Sequence, residues 1–307
     1  MKPKYDILWK GMIEEVIEDL LLFVEPEIGK ELDLGRGFQF MDKELAEMYP
    51  EPTKPANTKV VDKLVKVFLR DGAERHVLIH LEVQGKKEKA FARRMFEYYI
   101  RIFSKHDCPV AAIAIFTGRS GNKMPGCYED RCLWTRTRYE YKTVSITDYP
   151  DEVLQASTNP FAAVMMVTKE GLLKVKGTDE ERDNVLFEQK MLMVRLLKEK
   201  LAIFGERKTR AIIAFLNNYV VFKKPENNHK FVEQTDEIIG KKDTMGIFEQ
   251  LAEIRHQEGR EEGVEETKVE IVRSLLTKTE FSLGKIADIA GVSVYFVKKI
   301  RKELNAK

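Results

Sequence analysis

The sequence predicts an α/β (α+β) fold in which a mixed sheet is flanked by helices and followed by a helical C-terminal extension. Two strand-like runs surround the turn "RDGAE" at residues 70–74, which indicates a β-hairpin. A helical pattern at 87–106 then precedes "PVAAIAIFTG" at 109–118, an apolar run with the length of a buried strand. Strand patterns end near residue 150, so the rest of the chain is predicted to be helical.

The N-terminal segment 6–24 predicts a helix before the strands, because its apolar residues recur at helical spacing. These residues are Trp9, Ile13, Val16, Ile17, Leu20 and Val24. The sequence "RGFQFMDKEL" at 36–45 predicts a short strand after a glycine turn. The proline-rich "YPEPTKPANT" at 49–58 predicts a loop.

The two strands of the hairpin have faces of different character. Period two places Val61, Val65, Val67 and Leu69 on one face of the first strand, and Asp62, Leu64 and Lys66 on the other. In the second strand it separates Val77, Ile79, Leu81 and Val83 from His80, Glu82 and Gln84. We expect the apolar face to be buried, and the face with the polar groups to be covered by neither a helix nor apolar side chains.

The predicted secondary structure after the hairpin indicates that the chain consists of four regions. A further strand is predicted at 142–148, and helices at 151–173, 179–204, 206–222 and 245–279. The last of these contains "EGREEGVEE", which is typical of a solvated helix that acts as a spacer. We therefore predict a core at 1–175, a helical extension at 176–244, a long charged helix at 245–280 and a helix-turn-helix-like segment at 281–307.

The C-terminal segment matches the helix-turn-helix pattern. Ser282 and Ser293 are the expected N-caps, and Gly291 lies in the turn between them. The small and apolar positions of the motif are filled by Ala287, Val297 and Ile300. Residues 281–307 carry six basic and two acidic residues, a local net charge of +4. The expected DNA contacts are Tyr295, Lys298 and Lys299; the alternative is a helical hairpin used for dimerisation.

Composition excludes a global electrostatic attraction to nucleic acid or membrane. The 52 Lys and Arg residues nearly balance the 50 Asp and Glu residues, so any basic surface must be local. The apolar run "LLLFV" at 20–24 is too short for a membrane span or a signal segment. The spacing of Cys108, Cys127 and Cys132 matches no compact zinc motif, which favours reduced thiols. These observations predict a cytoplasmic protein with no membrane partner.

The polar face of the hairpin predicts a cation site. Asp62 on one strand and Glu82 and Gln84 on the next place two carboxylates and one amide on a single sheet face. Mg²⁺ prefers oxygen ligands and is commonly held by one or two carboxylates, waters and substrate phosphate. Mg²⁺, or another divalent cation such as Mn²⁺ or Ca²⁺, would suit this set and could act on a phosphodiester. The alternative is a pair of solvent-facing acids on an open sheet.

The order of these residues resembles a known group of nucleases. A glutamate on a helix, an aspartate on a strand, and Glu-x-Lys or Glu-x-Gln before a further helix resemble the PD-(D/E)XK nuclease superfamily. More closely, the first 150 residues or so resemble the recombination-promoting nuclease and putative transposase family of bacteria. The matching stretches are "YDILWKGMIEE", "LGRGFQFMDKEL", "VDKLVKV", "VLIHLEVQG" and "RRMFEYY". The resemblance implies a restriction-endonuclease-like core and divalent-metal-dependent endonuclease hydrolysis of DNA.

The same resemblance implies roles for individual residues. Asp62 and Glu82 would be metal ligands, and Gln84 stands where relatives carry lysine. Glu14 matches the acid of the first helix, with Glu18 as the alternative. A neutral amide can orient water, but it cannot stabilise developing negative charge as lysine does. Lys66, on the face of Asp62, is therefore a candidate substitute for the lysine.

Two arginines are expected to contact DNA, and two other functions are compatible with the sequence. Arg93 and Arg94, on the polar side of the helix at 87–106, are expected to hold backbone phosphates. Because Gln84 replaces the lysine, a catalytically weak or inactive DNA-binding or assembly protein that keeps the fold stays open. An α/β scaffold that acts through its helices, without nucleic acid, is the third interpretation. A homo-oligomer is compatible with all three.

Overall fold

The computed structural model describes residues 3–42, 45, 61–70, 75–119, 124–173, 177–240, 268, 271–277, 279, 281–293, 296–298 and 300–301. The chain divides into two compact units, Met1–Ile247 and Phe248–Lys307. The first unit contains all of the strands named below, and the second is helical in its described part.

The first unit is built on a sheet with strand order β1-β2-β3-β4-β7, accompanied by a separate β5–β6 hairpin. The strands are β1 (Gln39–Phe40), β2 (Val61–Phe68), β3 (His76–Gln84), β4 (Val110–Phe116), β5 (Cys127–Cys132), β6 (Thr135–Glu140) and β7 (Lys142–Ser145). β1, β2 and β3 pair antiparallel, whereas β3, β4 and β7 pair parallel. The predicted mixed sheet, the hairpin and the strands near 109–118 and 142–148 are therefore confirmed.

Nine helices are described as separate elements. They are α1 (Pro3–Val24), α2 (Phe91–His106), α3 (Asp151–Ala156), α4 (Pro160–Glu170), α5 (Asp179–Glu199), α6 (Leu201–Phe204), α7 (Glu206–Tyr219), α8 (Pro225–Ile239) and α9 (Leu283–Ala290). Residues 271–277 are also helical. Most of the predicted segment 245–279 lies outside the described residues. No helix in the described ranges is long and apolar enough to cross a membrane.

Helix α2 covers one face of the sheet because it connects two parallel neighbours. Parallel strands require a crossover connection, and α2 links β3 to β4. Its Tyr98 and Ile102 pack with Leu64 and Leu78 of β2 and β3. Next to them, Phe91 and Met95 pack against the small and aromatic residues Ala112, Ala114 and Phe116 of β4. The small side chains of β4 leave room for this helix to approach closely.

Helix α1 lies on the opposite face, and the predicted helical extension packs against it. Trp9 is fully buried and meets the ring of Phe215 on α7 edge to face, with centroids 5.5 Å apart. Ion pairs join Arg207 to Glu15 at 2.9 Å and Lys208 to Asp19 at 2.6 Å. Residues 177–239 thus share a unit with the sheet, and α7 is the helix of this extension that packs against α1.

The β5–β6 hairpin and helix α8 were not predicted from the sequence. The β5 and β6 sequences, "CYEDRC" and "TRTRYE", lack the apolar alternation of a half-buried strand, since most of their side chains are exposed. Helix α8 begins at Pro225, a favourable first helical position. Its amphipathic pattern is short and begins next to polar residues.

The C-terminal unit contains the predicted caps. The Ser282 hydroxyl accepts a hydrogen bond from the Lys285 amide at 3.3 Å, and Ser293 accepts one from the Phe296 amide at 3.2 Å. Gly291 has a φ of 60°, the left-handed conformation that ends α9. The small core of this unit consists of Val272, Ile286, Ala287, Ala290, Val297 and Ile300. The predicted core positions are therefore confirmed.

A buried lysine lies at the junction between α5, α7 and α8. Lys190 is 1% exposed, donates to the Val220 carbonyl at 2.9 Å, and lies 4.3 and 4.1 Å from the ring centroids of Phe222 and Phe231. Burial lowers the pKa of Lys190 from 10.5 to about 7, an effect that the negative charge of Asp183 partly offsets. The folded state therefore releases this proton more readily than the unfolded state.

We expect Lys190 to make the free energy of unfolding rise with pH between about pH 7 and 10, because in that window this residue is protonated in the unfolded chain and largely neutral in the folded one. In Lys190→Met this contribution disappears, and the slope should fall by about 1 kcal/mol per pH unit. Denaturant unfolding at several pH values measures both slopes. Lys198→Met, an exposed change on the same helix, is the control. Equal slopes in wild type and Lys190→Met would contradict the expectation.

Candidate functional site

The strand register brings the predicted acids together at the backbone. Asp62 of β2 lies directly opposite Glu82 of β3, and Gln84 follows two residues later on the face of Glu82. The side chain of Asp62 lies outside the described residues, so its position rests on this register alone. The hairpin thus supplies the predicted backbone arrangement.

The expectation that this face is open is wrong. Helix α2 covers it, and Glu82 and His80 are both 0% exposed. The His80 ring lies 4.7 Å from the ring of Tyr98, centroid to centroid. The expectation that Glu82 lies outside the packed interior is also wrong, because the crossover between parallel β3 and β4 has to pass over this face.

The buried carboxylate of Glu82 is held by a guanidinium from α2. Arg94 Nη2 donates to Glu82 Oε1 at 2.5 Å, and Nη1 donates to Glu88. Burial lowers the pKa of Arg94, but the charges of Glu82 and Glu88 and their hydrogen bonds outweigh it, so the pKa rises above the ordinary value for arginine. Arg94 is therefore a permanent positive charge beside the predicted cation site.

Gln84 is nearly buried and its amide is oriented. Its Nε2 donates to the Lys86 carbonyl at 2.7 Å and lies 3.5 Å from Glu88 Oε2. Because the amide nitrogen donates in this direction, Oε1 of Gln84 remains as an acceptor that receives no hydrogen bond from the described residues. Glu88 contacts both Gln84 and Arg94, so it links the amide to the guanidinium.

Glu14 has a contact on the other side of the sheet. It accepts a hydrogen bond from Lys63 Nζ at 2.6 Å, and Asp42 accepts one from the same atom at 2.7 Å. Lys63 is fully buried, and alternation along β2 places it on the face opposite to Glu82. The observed contact therefore does not bring Glu14 to the Glu82 face. Glu18 is exposed on α1.

Sequence reasoning overlooked Lys63 and Asp42. The available signal was side-chain alternation along β2, which places Lys63 on the same strand face as Val65 and Val67. A lysine on an apolar strand face requires negative partners when it is buried. Lys66, the candidate substitute for the missing lysine, is partly buried, and its Nζ lies 5.4 Å from the Phe68 ring centroid.

The remaining predicted DNA contacts lie in two places. Arg93 is exposed on α2 and pairs with Glu97 at 2.9 Å, one helical turn away. Lys298 is exposed in the C-terminal unit. Tyr295 and Lys299 lie outside the described residues.

The oxygen donors on the Glu82 face suit a hard divalent cation. They are the Glu82 carboxylate, Oε1 of Gln84 and, by register, Asp62. The described side chains do not by themselves place three His, Cys, Asp or Glu residues together, so such a site requires Asp62. A cation would share Glu82 with Arg94, because one carboxylate oxygen already accepts from the guanidinium.

Comparisons with protein-family models, with curated proteins and with solved structures found no match to this chain.

We expect Arg94→Met to lower the free energy of unfolding by about 3–5 kcal/mol, because it removes the cation that balances a fully buried carboxylate. Arg93→Met, on the exposed side of the same helix, should change stability by less than about 0.5 kcal/mol. Denaturant unfolding measures both changes.

Adding Glu82→Gln to Arg94→Met should recover part of the loss, because the neutral amide no longer needs the guanidinium. A loss in Arg94→Met as small as that in Arg93→Met would show that the ion pair does not stabilise the fold.

Proposed function

We propose that this chain is a divalent-metal-dependent DNA endonuclease of the PD-(D/E)XK type, similar to the recombination-promoting nuclease and putative transposase family. The observation that carries the proposal is the register of Asp62 opposite Glu82, with Gln84 two residues further on the same face. The order of these residues along the chain, followed by α2, supports it. The fully buried Glu82 adds to this support, because burial of a carboxylate on a sheet face costs stability and requires compensation.

Each residue of the proposed site would have a separate role in hydrolysis. A bound Mg²⁺ or Mn²⁺ would supply a Lewis acid and lower the pKa of an attacking water. Asp62 and Glu82 would hold the cation, and Oε1 of Gln84 would orient a water molecule by accepting its hydrogen. Arg94 would supply the positive charge that lysine provides in the superfamily pattern, since its high pKa keeps it protonated.

DNA would also be bound by residues outside this site. Arg93, once released from its exposed pair with Glu97, would contact a backbone phosphate, because such surface pairs are weak. The C-terminal unit, with exposed Lys285 and Lys298, would add a second contact with the duplex.

The test is cleavage of supercoiled plasmid with Mg²⁺ or Mn²⁺. Asp62→Asn and Glu82→Gln should each reduce the rate by more than about a hundredfold, since even outer-sphere partners of metal ligands are worth 10–100-fold. Both changes keep the side-chain size, and in Glu82→Gln the guanidinium of Arg94 keeps its ion pair with Glu88, so circular dichroism should show an unchanged fold. Asp148→Asn, an exposed change beyond β7, should cleave at the wild-type rate. Wild-type cleavage in both site variants would refute the proposal.

A DNA-binding protein without catalysis is the second candidate, and the Arg94–Glu82 contact favours it. The guanidinium already neutralises Glu82 under a covering helix, so a cation gains less from binding there. Calorimetric titration with Mn²⁺ separates the two functions. Saturable binding that Glu82→Gln abolishes supports the nuclease, whereas DNA binding without metal binding supports the second candidate.

We expect Gln84→Lys to lower the cleavage rate by about tenfold or more, which corresponds to at least about 1.4 kcal/mol of transition-state stabilisation. Arg94 already supplies a cation at this face, and a second one would compete with the metal for Glu82 and with Arg94 for Glu88. Single-turnover cleavage measures the effect.

Gln84→Met is the matched comparison, because it removes the amide oxygen without adding charge. A larger loss in Gln84→Lys than in Gln84→Met identifies the added charge as the cause. A tenfold increase in Gln84→Lys would show instead that the site lacks a cation.

A further inference from the structure

The β5–β6 hairpin ends in two exposed apolar residues. Leu133 and Trp134 form the turn and are 73% and 90% exposed. The tryptophan ring is among the most costly side chains to leave in water, since it carries a large apolar surface. An exposed ring at the tip of a projecting hairpin is therefore a candidate contact with a partner.

The backbone of the turn also departs from ordinary hairpin chemistry. Leu133 has a φ of 50°, in the left-handed region where two-residue turns favour glycine, asparagine or aspartate. A side chain there costs about 1–2 kcal/mol relative to a right-handed conformation. The hairpin thus keeps a bulky apolar residue at a position where glycine would be more stable.

Acidic and basic side chains alternate along the hairpin. Near the sheet, Arg138 pairs with Glu129 and with Glu140, each at 2.6 Å. Towards the tip, Arg131 and Arg136 are directly opposite each other in the register, and Arg136 also lies 3.9 Å from Glu129, a carboxylate that it shares with Arg138. Like charges at opposed positions destabilise a strand pair, so an anion between the two guanidinium groups would relieve their repulsion.

The other end of the hairpin is anchored to α2. Tyr128 stacks on Phe96 with centroids 4.9 Å apart, and Tyr139 contacts Tyr99 at 4.8 Å. The five residue-to-residue steps from Tyr128 to Leu133 extend about 16 Å at the rise of a β-strand. The tip is thus carried by the helix that supplies Arg94 to Glu82.

We propose that the tip of the β5–β6 hairpin binds a DNA segment with unpaired bases. Trp134 would stack on a base, while Arg131 and Arg136 would contact neighbouring phosphates. Base faces are covered in a duplex and accessible in a single strand, so a stacking tryptophan selects unpaired bases. The choice of DNA rests on the proposed function, which this inference deepens by naming the form of DNA that the protein recognises.

Tryptophan fluorescence tests the proposal directly, because the chain has two tryptophans and Trp9 is fully buried. A 20-nucleotide oligo-dT is titrated into the full chain in EDTA, so the result does not depend on cleavage. Stacking on Trp134 should quench roughly half of the emission. In Trp134→Phe the remaining emission comes from Trp9 and should not change.

Affinity for the same oligonucleotide, measured by anisotropy, separates the side chains. Trp134→Ala should weaken binding by about 5- to 150-fold, the range expected for loss of one stacked base, whereas Trp134→Phe should restore most of it. Arg131→Ala and Arg136→Ala should each reduce the salt slope by about 0.7. Leu192→Ala, an exposed apolar residue of α5, should bind like wild type.

Three results would overturn the proposal. They are no binding of oligo-dT, binding that leaves Trp134 emission unchanged, and equal quenching by a 20-base-pair duplex. Quenching that depends on protein concentration without DNA would assign the tip to self-association instead. Each of these results leaves the plasmid cleavage test unaffected, so failure of the hairpin and failure of the nuclease are distinguishable.

Discussion

The ion pair between Arg94 and Glu82 is the interaction on which the candidate site depends. A carboxylate with no exposed surface costs several kcal/mol unless a cation and hydrogen bonds compensate it. The cation comes from α2, which can reach Glu82 only because it crosses from β3 to β4 over that face. Packing of the helix and neutralisation of the acid are therefore parts of one arrangement.

The sheet buries a second charge on its other face, with the signs reversed. Lys63 lies beneath α1 and is balanced by Glu14 and Asp42, whereas Glu82 lies beneath α2 and is balanced by Arg94. Alternation along β2 and β3 keeps the two clusters apart. In the proposed nuclease, Glu14 would therefore position Lys63 and β2, and the reacting phosphate would meet the Glu82 face.

Helix α2 links the covered site to the surface. Its inward residues, including Arg94 and Tyr98, contact the sheet, and its Phe96 and Tyr99 hold the base of the β5–β6 hairpin. The aromatic contacts are large enough to fix the hairpin against the helix. In the proposed function, a strand bound at the hairpin tip and the metal-binding face would thus be related through one rigid element.

The sequence by itself determined the elements whose patterns are local. Period-two alternation identified the strands of the hairpin and the face that carries Glu82 and Gln84, and an unbroken apolar run identified β4. The serines at 282 and 293 identified two helix starts, because a cap forms with amides only a few residues away. Each of these predictions needed information from a single segment.

Only the tertiary structure decided which charged groups meet. Arg94 contacts Glu82, and Lys63 contacts Glu14 49 residues away, because helices that pass over the two faces bring them together. The polar β5–β6 hairpin was not predicted for a related reason: its tyrosines Tyr128 and Tyr139 are partly buried by contacts with α2, and no periodic pattern in its own sequence indicates this. Helix placement depends on the packing of the whole sheet, which no local pattern encodes.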